Sequence, residues 1–211
     1  MDRTKKFWNK TAKNYDKQVN EKYKETYRDT IKLTKKYLHS NQTVLDYACG
    51  TGITTNELSK YVHKMIAIDI SDKMIELAKD KAEKKKLKNI EFEVADIFNP
   101  KFDGIKVDVL LAFNILYFVE DLEQTLKRIQ ELLLPGGLFI SATDCLGETK
   151  SFRDFLISLL SKIGVFPLIK RYTTKQLINY ITKQEFKIIE KQNLFQNPPN
   201  YFIVARKSGR E

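Results

Sequence analysis

The sequence predicts an α/β fold, a doubly wound, seven-stranded and mostly parallel sheet with helices on both faces. Two patterns carry that expectation. Short apolar segments alternate with charged amphipathic ones along the chain, as strand–helix units joined by right-handed crossovers would require. One segment, Val107 to Ala112, is apolar almost without interruption, as a parallel strand covered on both faces should be. In such a sheet ligands collect at the carboxyl ends of the strands, where the strand order reverses.

The elements follow in order. A helical region spans roughly 4–38, with Trp8, Tyr15, Tyr23 and Tyr27 among many charges. A strand at 43–47 leads to a helix at 53–61, and Met65 to Ile70 is the second strand. Ser71 can cap the next helix, which runs to about Lys86, because its hydroxyl can accept from an exposed first-turn N–H. Strands follow at Ile90–Ala95 and Val107–Ala112. A helix at 121–134 stops before Pro135, and Leu138–Thr143 is the fifth strand. Thr173 to Lys183 reads as a helix, and Phe186–Leu194 and Tyr201–Ala205 as strands joined in a hairpin by Gln196-Asn197-Pro198-Pro199-Asn200. At 211 residues and 42% hydrophobic, the chain suits one full domain and is short for two.

The stretch Val44-Leu45-Asp46-Tyr47-Ala48-Cys49-Gly50-Thr51-Gly52, followed by Ile68-Asp69-Ile70-Ser71, says most about ligands. It reads as strand, acid, small-residue turn, helix, then a second strand ending on a carboxylate. A turn of Ala48, Gly50 and Gly52 lets the backbone approach a ligand closely, and the open N–H groups of the next helix face it. Asp69, at a strand tip, can accept both hydroxyls of a ribose. Thr55 stands where a dinucleotide fingerprint needs its third glycine, which weakens a nicotinamide reading. Asp46 would repel a pyrophosphate and attract an ammonium or sulfonium. A cationic nucleoside therefore fits better, and S-adenosylmethionine carries both cations.

Asp46-x-Ala48-x-Gly50-x-Gly52 resembles the first motif of class I S-adenosylmethionine-dependent methyltransferases. That family usually has glycine where Ala48 stands, and an alanine there calls for an ordinary backbone angle. Ile68-Asp69-Ile70-Ser71 resembles the ribose step, Ala95-Asp96-Ile97 the step holding the adenine amine, and Asp108 to Asn114 the fourth strand. Leu134-Pro135-Gly136-Gly137 resembles the turn before the fifth strand. The resemblance covers roughly residues 43–144. It implies a Rossmann-like sheet whose last strand inserts antiparallel, and S-adenosylmethionine as cofactor. It also implies a cofactor site built from Tyr15, Asp46, Ala48, Gly50, Gly52, Asp69, Ile70, Met74, Asp96, Ile97, Ala112 and Phe113. Tyr15, in Trp8-x6-Tyr15-Asp16, resembles an aromatic that covers the cofactor in small-molecule enzymes; plain packing is the competing reading. Within one domain over 1–211, an N-terminal helical cover would occupy 1–40 and the cofactor-binding core 41–144. A substrate-lid insertion would occupy 145–183, and a C-terminal hairpin 184–211.

Composition bears on partners and compartment. The charged start and the lack of an apolar run near 18 residues predict a cytoplasmic protein without stable membrane anchoring. Two cysteines, Cys49 and Cys145, suggest neither a disulfide framework nor a zinc site. The net charge of +10 lies in the flanks: residues 1–40 and 145–211 each carry 12 basic and 5 acidic side chains, whereas 41–144 carry 13 and 17. An anionic substrate, nucleic acid or membrane surface could be drawn to such flanks. Against nucleic acid stands the excess of lysine (30) over arginine (7), which looks like coding bias.

Methyl transfer from a sulfonium is an in-line displacement that relies on positioning and on excluding water. His39 and His63 follow no strand on the ligand side, so no histidine base is expected. Asn114, Tyr117 and Asp144, just past strands four and five, are the candidates to touch an acceptor, with loop capping as the competing reading. Asn197-Pro198-Pro199 is read as a turn, Cys145 as no nucleophile, and Asp144, with Phe113-Asn114 where a partner acid would be, as no metal ligand. The apolar run from Phe155 through Ile169, rimmed by Lys170 and Arg171, reads as a lid over an acceptor, or as core packing or a homodimer contact. The acceptor expected is a small, apolar or anionic metabolite. An RNA methyltransferase and a non-catalytic S-adenosylmethionine-binding protein are the alternatives, with a nicotinamide oxidoreductase further off.

Overall fold

The computed structural model describes residues 3–149, 159–161 and 166–208. Two helices open the chain, α1 (Arg3–Lys22) and α2 (Lys24–Thr34), separated at Tyr23, whose ring packs edge-on against Phe195. The sheet then builds as β1 (Thr43–Tyr47), α3 (Ile53–Leu58), β2 (Lys64–Asp69), α4 (Asp72–Lys84), β3 (Ile90–Val94), β4 (Val107–Phe113), α5 (Leu122–Leu132) and β5 (Leu133–Asp144). It closes with α6 (Thr174–Lys183), β6 (Phe186–Gln196) and β7 (Pro199–Lys207). Strand order is β3-β2-β1-β4-β5-β7-β6; β1 to β5 pair in parallel and β7 runs antiparallel between β5 and β6.

The local chemistry accounts for the boundaries. Ser71 caps α4 by accepting from Met74 N, and Asp121 caps α5 by accepting from Gln124 N. Thr173 and Gln176 form a reciprocal capping box at the start of α6. Alternation along β1, β2, β4, β5 and β7 feeds two cores. One, containing Leu45, Ile68, Leu110, Phe139 and Ile203, is covered by α5 and α6. The other, containing Val44, Met65, Leu111, Ile140 and Val204, is covered by α2 and α3, with α4 alongside through Ile75.

Three details differ from the sequence reading. Strand pairing resumes at Leu133, opposite Val107, so the helix stops at Leu132 and Leu134–Gly137 bulges out before Leu138 meets Val109. Gln196 pairs with Pro199, which shrinks the hairpin turn to Asn197-Pro198, joined by a cis peptide bond. Of the proposed lid, residues 150–158 and 162–165 lie outside the described residues. Its later part packs Phe166 against Phe7 of α1, with ring centroids 5.6 Å apart, while Lys170 N donates to Tyr117 O. No helix among the described residues is long and apolar enough to cross a membrane.

Candidate active site

All the parallel strands end on one side of the sheet, and there a cavity of about 410 Å³ opens between the strand tips and α1. Asp69 stands on its wall. Its Oδ2 accepts from Gly50 N at 3.0 Å and its Oδ1 from Ser71 N at 2.8 Å. The carboxylate thus holds the 48–52 turn against the end of β2, and its remaining lone pairs stay available to a ligand. Burial lifts its carboxyl to about 6, against the two N–H donors, which favour the charged form.

The turn itself departs from expectation. Ala48 adopts φ +59°, the left-handed region, as Gly50 and Gly52 do at +55° and +74°. The turn demands that conformation whatever residue stands there, so Ala48 carries strain that a glycine would not. Gly52 has a further reason to lack a side chain: a Cβ would come 3.0 Å from the Cβ of Ala78. Its absence lets α3 pack on α4.

Of the predicted cofactor residues, Tyr15, Ala48, Gly50, Asp69, Ile70, Met74, Asp96 and Phe113 line the cavity together. Asp96 also accepts from Phe98 N. Four others do not reach it. Ile97 and Ala112 are fully buried on the face covered by α5, because their positions along the chain turn their side chains into that core. Gly52 is occupied with Ala78. Asp46, 1% exposed, lies beneath the turn and borders a separate void of about 20 Å³ with Ala48, Gly50 and Phe113. There it accepts from Thr55 Oγ1 at 2.6 Å. Burial lifts its carboxyl to about 7, the Thr55 hydroxyl opposing and the nearby Asp69 charge reinforcing.

Helix α1 roofs the cavity with Thr4, Trp8 and Tyr15, and polar contacts pin it to the core. Lys5 Nζ meets Asp72 Oδ1 at 2.7 Å, Ser71 Oγ donates to Asn9 Oδ1 at 2.6 Å, and Thr51 Oγ1 donates to Asp16 Oδ1 at 2.5 Å. Asp16 also pairs with Lys81.

A second cavity, about 150 Å³, adjoins the first and shares Trp8, Tyr15, Asn114 and Phe118 with it. Asn114, Tyr117 and Asp144 all line it. Sequence reasoning missed further polar members, Gln18, Thr26 and Asn200; the Asn200 Nδ2 donates to Asn114 Oδ1 at 2.9 Å and to Asp144 Oδ1 at 2.7 Å. Asn114 sits at φ +56°, a conformation asparagine tolerates better than most residues. Tyr27 was read as part of the helical region only; its hydroxyl lies 2.9 Å from that of Tyr15. The main cavity's apolar wall of Phe98, Ile115, Phe118 and Val119 was also not foreseen, although Phe98 follows Asp96 by two residues. His39 and His63 are exposed at the opposite end of the sheet. Cys49 and Cys145 are buried thiols whose pKa burial pushes up.

Known proteins resemble this chain in sequence and in fold. An O-methyltransferase of ubiquinone biosynthesis from Coxiella burnetii is 30% identical over 131 residues, covering 62% of this chain and 53% of the relative. A demethylmenaquinone methyltransferase from Lactococcus lactis is 37% identical over 98 residues, 45% of this chain and 39% of that protein. The chain thus spans about half the length, or less, of these curated relatives. The N-methyltransferase NodS from Bradyrhizobium japonicum, solved with S-adenosyl-L-homocysteine, shares the fold at a TM-score of 0.75 and 16% identity, over 98% of this chain and 99% of that one. The family model described as a methyltransferase domain matches residues 38–196. That match takes in every strand from β1 to β6, and by it the chain belongs to the methyltransferase domain family.

Proposed function

We propose that the protein transfers a methyl group from S-adenosylmethionine to a small-molecule acceptor. The observation that carries this reading is the Asp69 carboxylate, set in the cavity wall beside the left-handed turn at 48–52. S-adenosylmethionine supplies a methyl group on a positively charged sulfur. The cavity suits it chemically: acids at Asp69 and Asp96 face apolar surface from Ile70, Met74, Phe98 and Val119. Asp69 would accept the ribose hydroxyls and Asp96 the adenine amine. The backbone at Ala48 and Gly50 would line the methionyl portion, with Asp46 beneath offering a counter-charge to its cationic end.

Asn114, just past the end of β4, lines both cavities, so an acceptor in the second would lie next to the cofactor in the first. Trp8 and Phe118 pack edge-on with centroids 5.2 Å apart and would keep water out. The chain's own contribution is then chiefly positioning, which can supply a large part of a displacement barrier. The quinone-pathway relatives support a small organic acceptor over a macromolecule.

The test is calorimetric titration of S-adenosylmethionine and S-adenosylhomocysteine into wild type and Asp69→Asn. The amide keeps an oxygen for a backbone N–H and loses the charge. Two charge-assisted hydrogen bonds at about 1.5–3 kcal/mol each predict an affinity loss of at least about 100-fold. Absence of binding to the folded wild type would defeat the proposal.

A further inference from the structure

The second cavity has an unusual chemical balance. Among the described residues seven aromatic rings contribute to its wall: Trp8, Tyr15, Tyr23, Tyr27, Tyr117, Phe118 and Phe195. Its one carboxylic acid among the described residues is Asp144, at the end of β5. Among the described residues no lysine, arginine or histidine lines it. We infer that this cavity receives an acceptor bearing an amine in its cationic form, held between aromatic faces and the Asp144 carboxylate. The inference rests on the methyltransferase reading above and names the acceptor class for the same site.

Three observations bear on it. Aromatic faces carry negative quadrupole density and attract an ammonium, whereas they repel a carboxylate. The phenols of Tyr27 and Tyr117 are held neutral, because burial pushes both above their ordinary range. Asp144 takes a hydrogen bond from the neutral Asn200 amide and has no ion pair among the described residues. Burial raises its carboxyl, and an ammonium would supply the missing counter-charge. Finally, Asn200 Oδ1 is a buried acceptor with no hydrogen-bond partner among the described residues. Its amide spends its N–H groups on Asn114 and Asp144, so the Asn114–Asp144–Asn200 cluster offers acceptors to a donor, while Gln18 and Thr26 complete the cavity's polar lining. An anionic acceptor, one of the two kinds expected from the sequence, meets like charge here, because among the described residues none of the flanks' basic side chains lines this wall.

The test uses three probes of similar size and different charge: phenethylamine, 4-ethylphenol and phenylacetate. Each is titrated by calorimetry at pH 7.5 into the full-length protein saturated with S-adenosylhomocysteine. The expected result is phenethylamine at least roughly tenfold tighter than 4-ethylphenol, with phenylacetate weakest. Asp144→Asn should cut the amine's affinity about tenfold, with 4-ethylphenol and S-adenosylhomocysteine each changed less than about twofold. The comparison on wild type needs no variant to fold. An amine that binds no better than the phenol or the acid, or not at all, overturns the inference and leaves the methyltransferase reading intact. Failure of S-adenosylhomocysteine to bind wild type overturns both, and is seen before any probe is added.

Discussion

Thr55 Oγ1 donates to Asp46 Oδ2 at 2.6 Å in a part of the protein that solvent does not reach. That one hydroxyl does not offset the cost of burial, so the Asp46 carboxyl sits at about 7 in the fold, against 3.8 for a solvated aspartate. The folded chain therefore keeps a proton that the unfolded chain has already released. The stability this provides is complete below about pH 4 and is lost as pH rises towards 7.

Asp46→Asn should remove that loss, since the amide oxygen still accepts from Thr55. At about 1.4 kcal/mol per pKa unit, the variant should gain on the order of a few kcal/mol over wild type at pH 8 and little at pH 4.5. Urea unfolding of both proteins at the two pH values measures it. An equal difference at both pH values would show that Asp46 does not titrate in this window.

Ligand binding should shift the same protons. A cationic ligand placed near Asp46 and Asp69 favours their charged forms, so S-adenosylmethionine should release protons on binding near pH 6.5, about one or fewer per site. Titrations in phosphate and imidazole separate proton release from intrinsic heat, because the two buffers differ in ionisation enthalpy. Identical apparent enthalpies in both would refute the coupling.

Ala48→Gly should stabilise the protein. The left-handed angle at position 48 costs an alanine about 1–2 kcal/mol, while the extra freedom of unfolded glycine returns about 0.5–1, for a net gain of a few tenths to about 1 kcal/mol. Gly52→Ala should do the opposite, losing about 1–3 kcal/mol through the same angle and the 3.0 Å approach to Ala78. Thermal unfolding of the two variants decides the sign in each case.

Asp16→Ala removes both the Thr51 hydroxyl's acceptor and the Lys81 partner from the middle of α1. Because α1 roofs the cavity, bound S-adenosylhomocysteine should leave several-fold faster, while global stability falls by only about 1 kcal/mol. Stopped-flow displacement gives the rate. An unchanged dissociation rate would mean that the ligand leaves without α1 moving.

Much of this architecture was legible because its signals are local. Val107 to Ala112 needs both faces covered, Ser71 precedes a helix it can cap, and Asp69 ends a short apolar strand. Each is a statement about a few consecutive residues. Where sequence reasoning fell short, the controlling contact was distant. Ala48 takes its backbone angle from a turn tied to Asp69, against its own preference. Ile97 and Ala112 belong to the right motifs, but the core on the α5 side claims their side chains. Leu133 leaves its helix for a partner on β4. Asn200 sits 56 residues from Asp144, in a segment whose prolines announce only a turn.

The reversed direction of β7 has a practical meaning for how such a protein could change its preferences. A parallel strand delivers only its last residues to the ligand side of the sheet. An antiparallel one delivers its first, along with the turn before it, so the β6–β7 hairpin hands over Phe195 and Asn200 as a unit. The segment around residues 193–202 is thus a portable cassette: exchanged between relatives, it would rewrite one wall of the second cavity while the strand tips of β1 to β4 around the main cavity stay untouched.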